Sequence, residues 1–73
     1  MDEYQNRVIS ESVEVGTKII ELYNLLYSYP PTNIESEERE LLQRQLYSLI
    51  DYSDILRRRI QMFDLHNSGR RAR

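Results

Sequence analysis

The stretch Tyr29-Pro30-Pro31-Thr32-Asn33 decides the fold, because it separates two long segments with helical periodicity. Proline lacks a backbone N–H and disfavours helical geometry in the residue before it, so a helix arriving from the N-terminal side has to end near Tyr29. Ser36 is the candidate N-cap of the next helix, and Thr32 with Glu35 forms a competing capping box. A connection this short predicts two helices that lie antiparallel, side by side.

Apolar side chains on both sides of this turn recur at alternating spacings of four and three, which is the heptad pattern of packed helices. The predicted seam of the first helix is Val8, Ser12, Val15, Ile19, Leu22 and Leu26, and that of the second is Leu42, Leu46, Leu49, Ser53, Leu56, Ile60 and Phe63. We predict helices over about residues 2–28 and 36–65, within a hairpin domain of residues 1–66, followed by a basic C-terminal tail at 67–73. The fold class is therefore all-α, an antiparallel, coiled-coil-like two-helix hairpin.

A second apolar row flanks the seam of the first helix and has no partner within one hairpin. Its residues are Ile9, Val13, Gly16, Ile20, Tyr23 and Tyr27. A 73-residue chain without cysteine has no disulfide to reinforce its core, and such small cores rarely supply more than about 3–5 kcal/mol. We therefore expect the hairpins to assemble into a homo-oligomeric helical bundle, with an unusually apolar monomer as the alternative.

Charge is distributed unevenly along the chain. Residues 1–56 hold four basic and eleven acidic side chains, whereas residues 57–73 hold six arginines and one aspartate. The overall pI near 5.3 disfavours a duplex nucleic acid as the partner, although the arginines of the tail could contact phosphates nonspecifically. No apolar run reaches the roughly 20 residues of a membrane span, and the acidic start is unlike a signal peptide. We expect a cytoplasmic protein that has no membrane partner.

The residues that catalysis would need are scarce. There is no cysteine, and the one histidine, His66, lies in the predicted tail, so no Ser-His-Asp arrangement and no histidine metal site can be assembled along the helices. The carboxylates from Glu35 to Glu40 resemble the solvated start of a helix rather than a catalytic pair. The two glycines are too far apart for a phosphate loop. We expect no catalytic residue, no metal site and no cofactor, and hence no enzyme.

Binding of a small anion is better supported, because basic and aromatic residues share one edge of the hairpin. Arginine matches phosphate oxygens bidentately, and a tyrosine ring can stack on a base. The alternatives are structural: Arg59 pairs with Glu11, and Lys18 lies over Tyr52 as a cation–π contact. The candidate ligand-binding residues are Arg7, Lys18, Tyr52, Arg59, Tyr4 and Arg57.

Four motifs along the helices resemble those of a group of small bacteriophage proteins related to a crAss-like phage protein. The motifs are Tyr4-Gln5-x-Arg7-Val8, Lys18-Ile19, Leu41-Leu42-x-Arg44-Gln45-Leu46 and Tyr52-Ser53-x-Ile55-Leu56-x-x-Arg59-Ile60. The resemblance covers about residues 4–63, and the chain departs from the pattern at Ser12, Gly16 and Tyr23.

By analogy with the oligomeric helical sponges of phages, the resemblance implies a noncatalytic role against bacterial defence. Such proteins sequester the nucleotide signals of systems such as CBASS and Thoeris, in pockets between protomers lined by basic and aromatic residues. The expected function is sequestration of a cyclic oligonucleotide or a cyclic ADP-ribose type of signal in the host cytoplasm. The alternatives are a small helical regulator or inhibitor that binds a host protein and a hairpin-dimer RNA-binding protein.

Overall fold

The computed structural model describes the backbone of residues 2–71 and the side chains of residues 2–63. It contains two α-helices, α1 (Glu3–Tyr27) and α2 (Ser36–Arg71), and no strand occurs within residues 2–71. The helices pack side by side along their lengths. They run antiparallel, since Arg59 contacts Tyr4 at one end of the hairpin. The all-α class and the packed pair of helices predicted from the heptads are confirmed.

Both ends of α1 follow from local chemistry. The Asp2 carboxylate accepts a hydrogen bond from the backbone N–H of Gln5 at 2.8 Å, which is the N-cap geometry. At the other end, the N–H of Ser28 donates to the carbonyl of Asn24 at 3.0 Å, and the backbone then becomes extended ahead of Pro30. Each end of α1 lies within one residue of the end of the predicted range.

α2 begins at the predicted residue 36, but its N-cap residue and its C-terminal end differ from the sequence-based prediction. The carbonyl of Glu35 accepts the N–H of Arg39 at 2.8 Å, so Glu35 occupies the N-cap position and Ser36 is the first helical residue. The helical backbone continues past residue 65 to Arg71, so most of the segment assigned to a tail belongs to the helix. Asn67 and Gly69 permit a helix to end but do not force it, and no proline follows them.

Two apolar clusters fill the space between the helices. The first is formed by Val8, Val15 and Leu56, with Ile60 and Phe63 packed against it. The second, nearer the turn, is formed by Leu22, Leu26 and Leu46, and Ile19 and Leu49 contact both clusters. All six residues that are buried within the described range 2–63 belong to the predicted heptad seams. Leu56 is the most enclosed of them, with none of its surface exposed.

The turn end of the hairpin is fastened by Arg39. Its guanidinium donates to the carbonyl of Leu26 at 2.9 Å and to the carbonyl of Thr32 at 3.5 Å. The Leu26 carbonyl lies in the last turn of α1, where the helix has no further N–H donors of its own, and Thr32 lies in the connecting loop, so the cation joins the end of α1 to the loop. The whole chain forms a rod with extents of 58 × 19 × 15 Å.

The second apolar row of α1 stays largely exposed on the outside of the rod. No helix, over the residues described, has an apolar stretch long enough to cross a bilayer.

Candidate anion-binding site

Arg59 and Tyr4 meet at the end of the hairpin opposite the turn. The Nη2 atom of Arg59 donates a hydrogen bond to the Tyr4 hydroxyl at 2.6 Å, and the guanidinium carbon lies 6.0 Å from the centre of the Tyr4 ring. The same ring meets Phe63 edge to face, with 6.2 Å between centroids. A cation is thus held against one ring of an aromatic pair.

A cavity of about 320 Å³ opens beside this contact. We call it the Tyr4–Arg59 site. It is lined by Tyr4, Gln5, Arg59, Met62 and Phe63. Its wall is aromatic and apolar, one side-chain amide borders it, and the only charge among the lining residues is the guanidinium. This composition suits a planar, partly apolar molecule that carries negative charge.

The charge of Arg59 is not neutralised by a neighbouring carboxylate in the described part of the chain. Both ion pairs among the side chains of residues 2–63 involve Asp54, which contacts Arg57 at 2.6 Å and Arg58 at 3.0 Å. The hydrogen bond from Arg57, together with the charge of Arg58, lowers the pKa of Asp54 despite some desolvation. Arg59 donates instead to a neutral phenol, so its remaining N–H groups can still bind an acceptor.

The other predicted ligand residues do not join this site. Lys18 lies at a second cavity, of about 240 Å³, half-way along the rod. That cavity is lined by Lys18, Glu21, Leu22, Leu25, Gln45 and Leu49. Tyr52 is not part of its lining, and no cation–π contact joins Tyr52 to Lys18 in the side chains described. The Glu21 carboxylate at the same cavity opposes the binding of an anion by Lys18.

Two more predicted residues have a different environment from the one expected. Arg57 is held by Asp54 rather than lying open for a ligand. Arg7 is exposed, one helical turn beyond Tyr4 on α1, and is not in the lining of the Tyr4–Arg59 site. The structure therefore brings together Tyr4 and Arg59 out of the six candidates.

The predicted pairing of Arg59 with Glu11 on this edge is wrong. The sequence placed Arg59 beside Glu11, but Arg59 contacts Tyr4, seven residues earlier on α1. An exposed Glu–Arg pair contributes little to stability, whereas the long arginine stem gains apolar contact by following the aromatic ring. Lys18 shares its cavity with Leu25 and Gln45 and not with the expected Tyr52.

Sequence reasoning missed three wall residues of the site: Gln5, Met62 and Phe63. Phe63 belongs to the predicted core seam and does pack against the first apolar cluster, but it is only half-buried and also lines this cavity. Extending the heptad seam of α1 by one step towards the N-terminus reaches Gln5, which lines the same cavity. This extension of the seam is the feature of the sequence that could have predicted Gln5 as a residue of the site.

A family model described as Sequestin matches residues 2–62 of the chain. The chain belongs to the Sequestin family. The match includes both Tyr4 and Arg59, and the family name indicates a sequestering role without specifying a ligand. Comparisons with curated proteins and with solved structures give no match. The relation to crAss-like phage proteins stays a prediction. In the part of this Sequestin-family chain that is described, no three His, Cys, Asp or Glu side chains are grouped as a metal site would require.

Proposed function

We propose that this Sequestin-family protein binds and sequesters a small anionic nucleotide signal without altering it. In this proposal it is a phage anti-defence protein that acts in the cytoplasm of the infected host. The observation that carries the proposal is the Tyr4–Arg59 site, where a guanidinium free of carboxylate partners among the described side chains borders an open aromatic cavity. The sequestering role indicated by the family name supports the same conclusion.

The lining residues match the parts of a nucleotide. Arg59 supplies charge-assisted hydrogen bonds to a phosphate group, and the exposed ring of Tyr4 supplies a stacking surface for a base. Gln5 contributes an amide that can donate to and accept from a base edge or a ribose hydroxyl. Binding of a phosphate would compete with the hydroxyl of Tyr4 for the guanidinium, so the tyrosine ring is freed to turn towards the base.

The size of the cavity limits what one hairpin can hold. A volume of about 320 Å³ lies at the small end of ligand pockets, which span roughly 300–1,000 Å³. One nucleotide unit is accommodated in such a volume, whereas a cyclic dinucleotide would extend onto neighbouring surface. A ligand of the cyclic ADP-ribose type would also exceed the cavity and leave part of its ribose exposed.

Sequestration rather than turnover follows from the chemistry of the lining. None of its five residues is a carboxylate, a histidine or a cysteine, the commonest general bases and nucleophiles, and the hydroxyl of Tyr4 accepts a hydrogen bond from the cation of Arg59, which cannot act as a base. A bound phosphodiester would be held by one cation and would meet no group that activates water. We therefore expect the ligand to be released chemically intact.

Calorimetric titration of the purified protein with cyclic dinucleotides, cyclic trinucleotides and cyclic ADP-ribose isomers tests the proposal. Arg59→Gln should weaken binding at least about tenfold, since charge-assisted hydrogen bonds contribute about 1.5–3 kcal/mol. Arg58→Gln is the matched control, because Arg58 is the neighbouring arginine, lies outside the cavity and pairs with Asp54. Its binding should stay within twofold of the parent protein.

Recovery of the ligand after heat denaturation of the complex, followed by chromatography, tests whether it is unaltered. The absence of heat with every member of the panel at micromolar protein would remove the proposal. Equal losses in Arg58→Gln and Arg59→Gln would show that general charge, rather than the Tyr4–Arg59 site, governs binding.

A further inference from the structure

The exposed row of α1 is itself a complete heptad seam. Its residues are Ile9, Val13, Gly16, Ile20, Tyr23 and Tyr27, with unbroken spacings of four and three. The seam that faces α2 is separate, lying about 100° away around the helix. Three of its apolar side chains are largely exposed in the single hairpin: Val13 is 65% exposed, Ile20 63% and Tyr23 55%. This spacing is the signature of a surface that packs against another helix.

The order of large and small side chains in this seam is self-complementary. If a second α1 lies antiparallel across a two-fold axis near residue 18, Gly16 meets Ile20 of the other copy, and Val13 meets Tyr23. Ile9 then meets the remaining tyrosine of the row. Each layer pairs a smaller with a larger side chain, as even packing requires. A parallel pairing would instead set glycine on glycine and tyrosine on tyrosine.

Gly16 has the room that this arrangement needs. A Cβ atom added to it would meet nothing within 4 Å in the single hairpin. Glycine in the middle of a helix is unfavourable by roughly 1 kcal/mol relative to alanine, and the hairpin itself has no contact that calls for it. The open space opposite Gly16 matches the side chain of Ile20 from a second copy.

We propose that two copies of this chain form an antiparallel, two-fold symmetric dimer through this seam. All six seam residues are uncharged, as are Ser10, Thr17 and Asn24 alongside them, so two copies approach without like charges in contact. The seam, together with Ile50 of α2 on the same side, offers on the order of 600 Å² per copy, which places the dimer near the lower limit of stable interfaces.

The dimer leaves the Tyr4–Arg59 site of each copy accessible. Tyr4 lies on the edge of α1 that is about 140° around the helix from the middle of the seam. Two copies therefore carry two independent sites on outward-facing edges. The dimer stands on its own evidence and does not depend on the identity of any ligand.

Sedimentation equilibrium and light scattering of the full chain at micromolar concentration test the association. The expected mass is twice the 8.8 kDa of one chain. Ile20→Glu should weaken dimerisation at least about a hundredfold, because the two-fold axis places the substitution in the interface twice. Leu25→Glu is the matched control: Leu25 is 39% exposed on the opposite edge of α1, and its variant should associate like the parent. Circular dichroism confirms that both variants remain helical.

Cysteine cross-linking tests the register, and the chain has no cysteine of its own to interfere. Residues 13 and 23 of one chain are about 15 Å apart along the helix, too far to join each other. The double variant Val13→Cys, Tyr23→Cys should form a covalent dimer under mild oxidation, whereas each single variant should not. A monomer at all concentrations, an Ile20→Glu dimer of unchanged affinity, or self-cross-linking of Val13→Cys alone would each overturn the proposal.

Discussion

Replacement of Leu56 by alanine should abolish most of the stability of the hairpin. Leu56 is fully buried between Val8 and Val15 and contacts the half-buried side chains that continue the cluster towards the Tyr4–Arg59 site. Removing a buried leucine side chain costs about 3–5 kcal/mol when the cavity cannot collapse. A core of this size supplies only about 3–5 kcal/mol in total, so the variant should be largely unfolded at 25 °C.

The matched control is Ile55→Ala, one residue away on the same helix. Ile55 is 47% exposed and lies outside both the core seam and the proposed dimer interface. Its truncation should therefore lower the free energy of unfolding by less than about 1 kcal/mol. Urea titrations followed by far-ultraviolet circular dichroism measure both variants, and they are run at several protein concentrations because association adds to apparent stability. Equal losses in the two variants, or a loss below about 1 kcal/mol for Leu56→Ala, would refute the assignment of the core.

Two further changes probe the ends and the surface of the rod. Arg39→Met removes the guanidinium that closes the turn end against the carbonyls of Leu26 and Thr32, and it should lower the free energy of unfolding by about 1–2 kcal/mol in urea; no measurable loss would contradict this role. Asp54 has its pKa lowered from 3.8 in the folded state by its arginine partners, so its contribution to stability is present above that value and disappears as the pH falls through the lower, folded value. Asp54→Asn should therefore lose less thermal stability than the parent between neutral pH and pH 2, and identical pH profiles would argue against the ion pairs.

The fold was predictable because its determinants are periodic. Every buried side chain among residues 2–63 lies on a heptad seam that can be identified in the sequence, and the two prolines mark the turn. The end of α2 was not predictable in this way. Asn67 and Gly69 are compatible with a helix end as well as with a continuing helix, and no residue after them decides between the two.

The candidate site was predictable in its residue types but not in its pairing. Periodicity assigns Tyr4 and Arg59 to one edge of the hairpin, yet it does not determine which neighbour along that edge a long arginine reaches. In the structure Arg59 reaches Tyr4, whose ring also contacts Phe63. Heptad spacing alone does not predict which side chains contact each other at this end of the hairpin.

The slender shape of the hairpin affects how its size should be measured. The radius of gyration of 16.9 Å exceeds the roughly 11 Å of a compact domain with this many residues. An elongated molecule elutes from a gel-filtration column ahead of a globular one of equal mass, so a single copy calibrated against globular standards would give an apparent mass that is too high. The elution volume therefore gives a false stoichiometry for this molecule. Only a method whose measured mass does not depend on molecular shape gives the correct number of copies.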